Sequence, residues 1–171
     1  MKGFTLVELL IAIALMATLL TVGVPGFRDL VASNQRRAIS FDLYSDLQLA
    51  RSEAISRNQR ISVCKSTDGL QCLDAAEGGW KDGWIVYANP GGLDDPADVA
   101  DVLAVHDPIQ DYRFSLIPQD PTSAVRFDFK PNGRSQQAGG LDLCHDSGTV
   151  QGRRIRLLAT GTVLITQGGC S

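Results

Sequence analysis

Histidine is scarce in this 171-residue chain: only His106 and His145 occur, and neither lies in a Ser/His/Asp or metal-binding pattern. A nucleophile would lack its base, so no catalytic residue, no enzyme activity and no cofactor are expected. No C-x-x-C pair is present, and Cys144-His145 stands alone, so zinc is disfavoured on spacing. No G-x-x-x-x-G-K-[ST] motif occurs, and Gly152-Arg153-Arg154 is therefore not a phosphate loop. Basic charge is not in excess. Sixteen Lys and Arg stand against nineteen Asp and Glu, for a formal net charge of −3. That balance argues against a generally basic nucleic-acid binder while leaving a local basic patch open. The acidic stretch Asp94 to Asp111 lacks the glycine and terminal glutamate of an EF-hand. It reads as a solvated loop, with calcium at Asp94, Asp95, Asp98 and Asp101 as the lesser alternative.

The four cysteines are Cys64, Cys72, Cys144 and Cys170. An even number behind an N-terminal export segment favours disulfides in an oxidising compartment. Three pairings exist. Cys64–Cys72 and Cys144–Cys170 are preferred, because the first closes a short loop and the second ties down the C-terminal tail.

Residues Phe4 to Val24 are almost wholly apolar. As a helix they span about 31 Å, close to the hydrocarbon thickness of a bilayer. A secretory signal peptide would have a fuller basic region, a shorter apolar core and a small-residue cleavage site. Here Lys2 is the only basic residue ahead of the run, and Val24-Pro25-Gly26-Phe27 follows it. The apolar segment is therefore expected to stay in the mature protein. One carboxylate, Glu8, sits inside it, and an ionisable group there usually has a partner or a task. Solvation at the membrane interface is the plainer alternative. Pro25, flanked by Gly23 and Gly26, is expected to kink the helix.

Beyond Pro25 a second helical pattern runs to about Arg57. Ile39, Leu43, Leu47, Ala50 and Ala54 fall on one face at spacings of three and four, and Asn58 is a plausible terminator. From Arg60 the period changes. Strands are expected at Ile61–Cys64, Trp84–Tyr87, Tyr112–Ile117, Val125–Phe129, Leu141–Cys144, Arg154–Leu158 and Val163–Thr166. Turn signals such as Asp68-Gly69, Asn132-Gly133 and Thr160-Gly161 separate them. Short connections favour antiparallel pairing. The expected class is α+β: a long N-terminal helix, transmembrane in its first half, packed on an antiparallel β-sandwich or rolled sheet. Trp80 and Trp84 are expected in the core, and Gly83 and Gly133 in tight turns.

The run Lys2-Gly3-Phe4-Thr5-Leu6-Val7-Glu8-Leu9-Leu10 closely resembles the class III prepilin signal of type IV pilins and type II secretion pseudopilins. The resemblance implies cleavage between Gly3 and Phe4 by a prepilin peptidase, with N-methylation of Phe4. It also implies that Glu8 pairs with the terminal ammonium of a neighbouring subunit during assembly. The implied organisation is a leader at 1–3, a transmembrane and filament-core helix at 4–25, an amphipathic helix at 26–58 and a soluble β-rich domain at 59–171. Ala50-Arg51-Ser52-Glu53-Ala54-Ile55, Trp80-Lys81-Asp82-Gly83-Trp84-Ile85-Val86 and Phe127-Asp128-Phe129-Lys130-Pro131-Asn132-Gly133-Arg134 resemble the GspH/FimT group.

That group implies a minor pilin that helps initiate or cap a type IV pilus. The alternative is an H-type minor pseudopilin of type II secretion. Implied partners are other major and minor pilins or pseudopilins, the prepilin peptidase and the bacterial inner membrane. The protein would cross that membrane once, with its C-terminal domain in the periplasm, before joining the filament. Some FimT-type proteins bind DNA through a C-terminal G-R-x-R motif. Gly152-Arg153-Arg154-Ile155-Arg156 offers a similar run with one extra residue, and Arg126, Lys130 and Arg134 could extend it. The family motif usually follows the Thr-Gly turn, where this chain reads Thr160-Gly161-Thr162-Val163-Leu164, without arginine.

Overall fold

Every strand pairing among the described residues is antiparallel, as short turn-rich connections between strands favour. The computed structural model describes residues 5–121, 123–148 and 150–170, with the side chains of Val22 and Pro25 left out. The chain divides into two units, Met1–Gln35 and Arg36–Ser171.

One α-helix, α1, is assigned over Leu6–Ser56. The helical assignment continues through Pro25. A proline in a helix interior removes one backbone donor, and here that loss does not end the helix. From Leu6 to Leu30 the described apolar side chains of α1 are exposed, Leu6, Leu9, Ile13, Met16 and Leu19 among them.

In the second unit α1 behaves as its apolar spacing predicts. Ile39, Leu43, Leu47, Ala50 and Ala54 are all buried. The helix stops at Ser56, and Asn58 follows with φ of 50°, a left-handed conformation that asparagine tolerates.

Eight strands follow among the described residues: β1 Ile61–Lys65, β2 Trp84–Ala88, β3 Val102–His106, β4 Phe114–Pro118, β5 Arg126–Phe129, β6 Gly139–His145, β7 Arg153–Leu157 and β8 Val163–Gln167. They form two four-stranded sheets, ordered β3-β2-β1-β5 and β4-β6-β7-β8. Strand β3 lies inside the stretch expected to be a solvated acidic loop, and this corrects that expectation. Val102-Leu103-Ala104-Val105 has strand character, and pairing with β2 supplies its ladder even though it is an edge strand. The flanking acids serve local structure. Asp98 caps a 3-10 turn over Val99–Asp101, Asp95 accepts from the Cys72 N–H, and Asp94 pairs with Arg126.

Strands β1 and β2 are buried at every residue, so both faces of the first sheet's centre are covered. On one face Trp84 donates its indole N–H to Asp46 of α1 at 2.8 Å. His106 stacks on Trp84 with centroids 3.7 Å apart. The opposite face packs Cys64, Ile85 and Tyr87 with Cys72 and Val102. Trp80 is buried, donates to the Ser123 carbonyl at 2.7 Å and contacts Phe127. The turns expected at Gly83 and Gly133 have φ of 111° and 73°, values that glycine reaches without the clash a Cβ would bring.

Candidate assembly segment and basic surface

The only carboxylate in the first five turns of α1 is Glu8, and the local sequence fixes its position. Thr5-Leu6-Val7-Glu8 is a capping box. The Glu8 carboxylate accepts from the Thr5 N–H and from the Thr5 hydroxyl, both at 2.9 Å. The Glu8 N–H donates back to the Thr5 hydroxyl at 3.3 Å. Two of the orphan donors at the helix start are thereby satisfied. Thr5 is a helix-capping residue that the pattern T-x-x-E ahead of an apolar run signals. Gly3 and Phe4 lie outside the described residues.

Farther along, the remaining polar side chains bond back to the helix. The Thr18 hydroxyl donates to the carbonyls of Ala14 and Leu15, and that of Thr21 to Thr18. Polar atoms are thus satisfied within the segment, as an apolar surround requires. By length and composition this is the one described helix able to cross a membrane.

The arginines expected to form a basic patch are not equivalent. Along β7, Arg154 and Arg156 alternate with Arg153 and Ile155 across the strand. Arg154 makes a two-pronged contact with Asp142 of β6, Nε–Oδ1 at 2.8 Å and Nη2–Oδ2 at 2.9 Å. That contact holds the Asp142 carboxyl below the usual carboxylate range. Arg126 is shared between Asp128 and Asp94. Arg153 lies over the Phe41 ring, 5.9 Å from its centroid. Arg156, Lys130 and Arg134 are exposed. Two of the candidate cations, Arg126 and Arg154, are therefore already neutralised.

The cysteines pair as Cys64–Cys72 and Cys144–Cys170. The second bridge joins the segment after β8 to β6. It passes close over Gly152, where an added Cβ would come within 2.2 Å of the Cys170 sulfur. Among the described residues, no group of three or more His, Cys, Asp or Glu side chains is placed to hold a metal ion.

The profile of a family described as type II transport protein GspH matches residues 40–161. The chain belongs to the GspH family. The matched span runs from the buried half of α1 to the Thr160-Gly161 turn, so it includes the first sheet, strands β4, β6 and β7 of the second, and all three signature segments. A second profile, the prokaryotic N-terminal methylation motif, matches residues 1–24 of this GspH-family chain. Two crystal forms of the type IV minor pilin FimU from Pseudomonas aeruginosa share its fold. The first has a TM-score of 0.60 at 20% identity and covers 82% of this chain and 92% of that one. The second has a TM-score of 0.56 at 20% identity, covering 76% and 91%. A comparison with curated proteins found no match.

Proposed function

We propose that this GspH-family chain is a minor pilin that helps initiate or cap a type IV pilus. It is made as a prepilin, cut between Gly3 and Phe4 by the prepilin peptidase and N-methylated on Phe4. Before assembly it crosses the bacterial inner membrane once through the apolar part of α1, with its β-rich domain in the periplasm. Major and minor pilins are its partners in the filament.

The observation that carries this reading is the exposed apolar helix that begins at Leu6 with a single carboxylate, Glu8, in its first turn. Exposed apolar side chains along that helix favour burial against lipid or against other helices. A carboxylate placed in apolar surroundings is costly unless a cation or donors accompany it. Within one subunit Thr5 supplies the donors, and a neighbouring subunit's terminal ammonium would supply the opposite charge.

Mass spectrometry of the mature protein tests the processing. A mass lower by residues 1–3 and raised by one methyl group on Phe4 is expected. A mature product beginning beyond Pro25 would end the proposal. Co-purification of other pilins with Glu8→Ala tests the assembly role. Incorporation is expected to fall at least about tenfold, while the disulfide-bonded domain stays folded.

The description attached to the matching family, type II transport, favours a second reading: an H-type minor pseudopilin of a secretion system. Deleting the gene separates the two. Loss of pili with normal protein secretion supports the pilus subunit, and the reverse supports the pseudopilin.

A further inference from the structure

A cavity of about 530 Å³ opens where α1 ends. Two cations line it, Arg60 just before β1 and Lys130 just after β5. The side-chain amides of Asn58, Gln59 and Asn132 join them, and Pro90 and Pro131 form apolar walls. No carboxylate is among the described lining residues.

The elements hold these groups in place. The turn Lys130-Pro131-Asn132-Gly133 is closed by the Gly133 N–H donating to the Lys130 carbonyl at 2.8 Å. The Asn132 side-chain oxygen accepts from the Arg134 N–H at 3.1 Å, which fixes that amide. Gly92, with φ of 70°, lets the Arg60 guanidinium lie against the backbone, since an added Cβ would fall within 2.1 Å of Nη1.

The cavity differs from the four arginine–carboxylate pairs of the domain in holding two cations and no carboxylate. Arg57, Arg113, Arg126 and Arg154 each face a carboxylate: Glu53, Asp111, Asp128 and Asp142. Among the described residues, no ion pair joins Arg60, Lys130 or the adjacent Arg134. In a chain of net charge −3, uncompensated cations gathered in one concave site are a local positive field.

We infer that this cavity binds an acidic peptide segment of another protein chain, with Arg60 and Lys130 each receiving a carboxylate. Three observations select that occupant. The amides of Asn58, Gln59 and Asn132 can pair with peptide N–H and C=O groups. Pro90 and Pro131 offer apolar contact to the stems of acidic side chains. No aromatic ring lines the cavity on which a nucleotide base could stack, which disfavours single-stranded nucleic acid. The chain's own acidic segment does not fit the role, because Asp94, Asp95 and Asp98 are already engaged within their subunit. The inference adds a partner chemistry to the filament-subunit reading. Its test is a solution measurement, so failure of one does not decide the other.

The experiment is fluorescence anisotropy with the full chain in detergent micelles. The probes are labelled hexaglutamate and labelled heptathymidylate, which carries six phosphodiesters. Hexaglutamate is expected to bind at low ionic strength and to weaken as salt rises. Lys130→Gln and Arg60→Gln are each expected to raise its dissociation constant about tenfold, consistent with a charge-assisted bond lost. Arg156→Gln, an exposed cation on β7, should leave it unchanged. Arg60 packs on Gly92, so Lys130→Gln, at an exposed site, keeps the test sound if the Arg60 variant misfolds. Absence of hexaglutamate binding at low salt overturns the inference. So does tighter binding of heptathymidylate, or an equal loss in the Arg156→Gln variant.

Discussion

At the scale of single residues, two aspartates on the second unit have opposite acid–base character. Asp142 is held below the ordinary carboxylate range chiefly by its hydrogen bonds to Arg154. A depressed value means stability that is present above the unfolded-chain value near 3.9 and lost as pH falls through the folded value. Asp46 is the reverse. Burial raises its value although the Trp84 indole and His106 lower it. Its charged form costs stability above the folded value, and acid relieves that cost. Asp142→Asn is expected to lose about 1 kcal/mol at neutral pH, a modest figure because Arg154 is partly exposed and screened. Melting curves should show the difference shrinking below about pH 4. Asp46→Ala should leave the buried Trp84 N–H unpaired and cost about 1–3 kcal/mol in urea unfolding. Gly161 is a third sensitive residue. It has φ of 82°, and an added Cβ would fall within 1.9 Å of the Gly133 carbonyl oxygen. Gly161→Ala is expected to cost more than about 2 kcal/mol, and an Asn replacement, which suits φ but not the space, should fare little better.

At the scale of elements, the apolar period of three and four foretold which face of α1 is buried, because a helix on a sheet must cover it with one stripe. Seven of the eight strands were legible for a related reason: Ile61-Ser62-Val63-Cys64 and its counterparts are bounded by glycine and asparagine turns. Strand β3 was hidden by its neighbours. Asp98, Asp101 and Asp107 surround a four-residue apolar run, Val102 to Val105, and composition over that window reads as loop. What the window does not contain is the pairing partner, β2, which rescues the edge strand. The Asp46–Trp84 bond, the Asp142–Arg154 contact and the cavity at Arg60 were equally hidden, since each joins residues more than ten positions apart. The capping box at Thr5 was the converse case, visible locally in a segment read for its apolarity. The disulfides give a test at this scale. Chain-entropy arguments assign about 2.5 kcal/mol to the short Cys64–Cys72 loop and about 3.5 kcal/mol to the longer Cys144–Cys170 loop. Urea unfolding of the paired Cys→Ser variants should show the larger loss for the second bridge.

At the scale of the whole molecule, the two units present different surfaces. The first is a helix whose apolar side chains are exposed among the described residues from Leu6 to Leu30, and the second buries a core that includes Leu43, Trp84, Phe114 and Leu143. Only the second is expected to hold its fold in plain buffer, and the first needs lipid, detergent or other helices. The arrangement of the last strands adds a mechanical property. In the second sheet β7 lies between β6 and β8, and the Cys144–Cys170 bond reaches from β6 past β7 to the segment after β8. Tension applied at the carboxyl end therefore passes through sulfur straight into β6. The last two strands lie in a closed covalent loop that such a load cannot unzip, and extension must wait until the sheet's interior gives way.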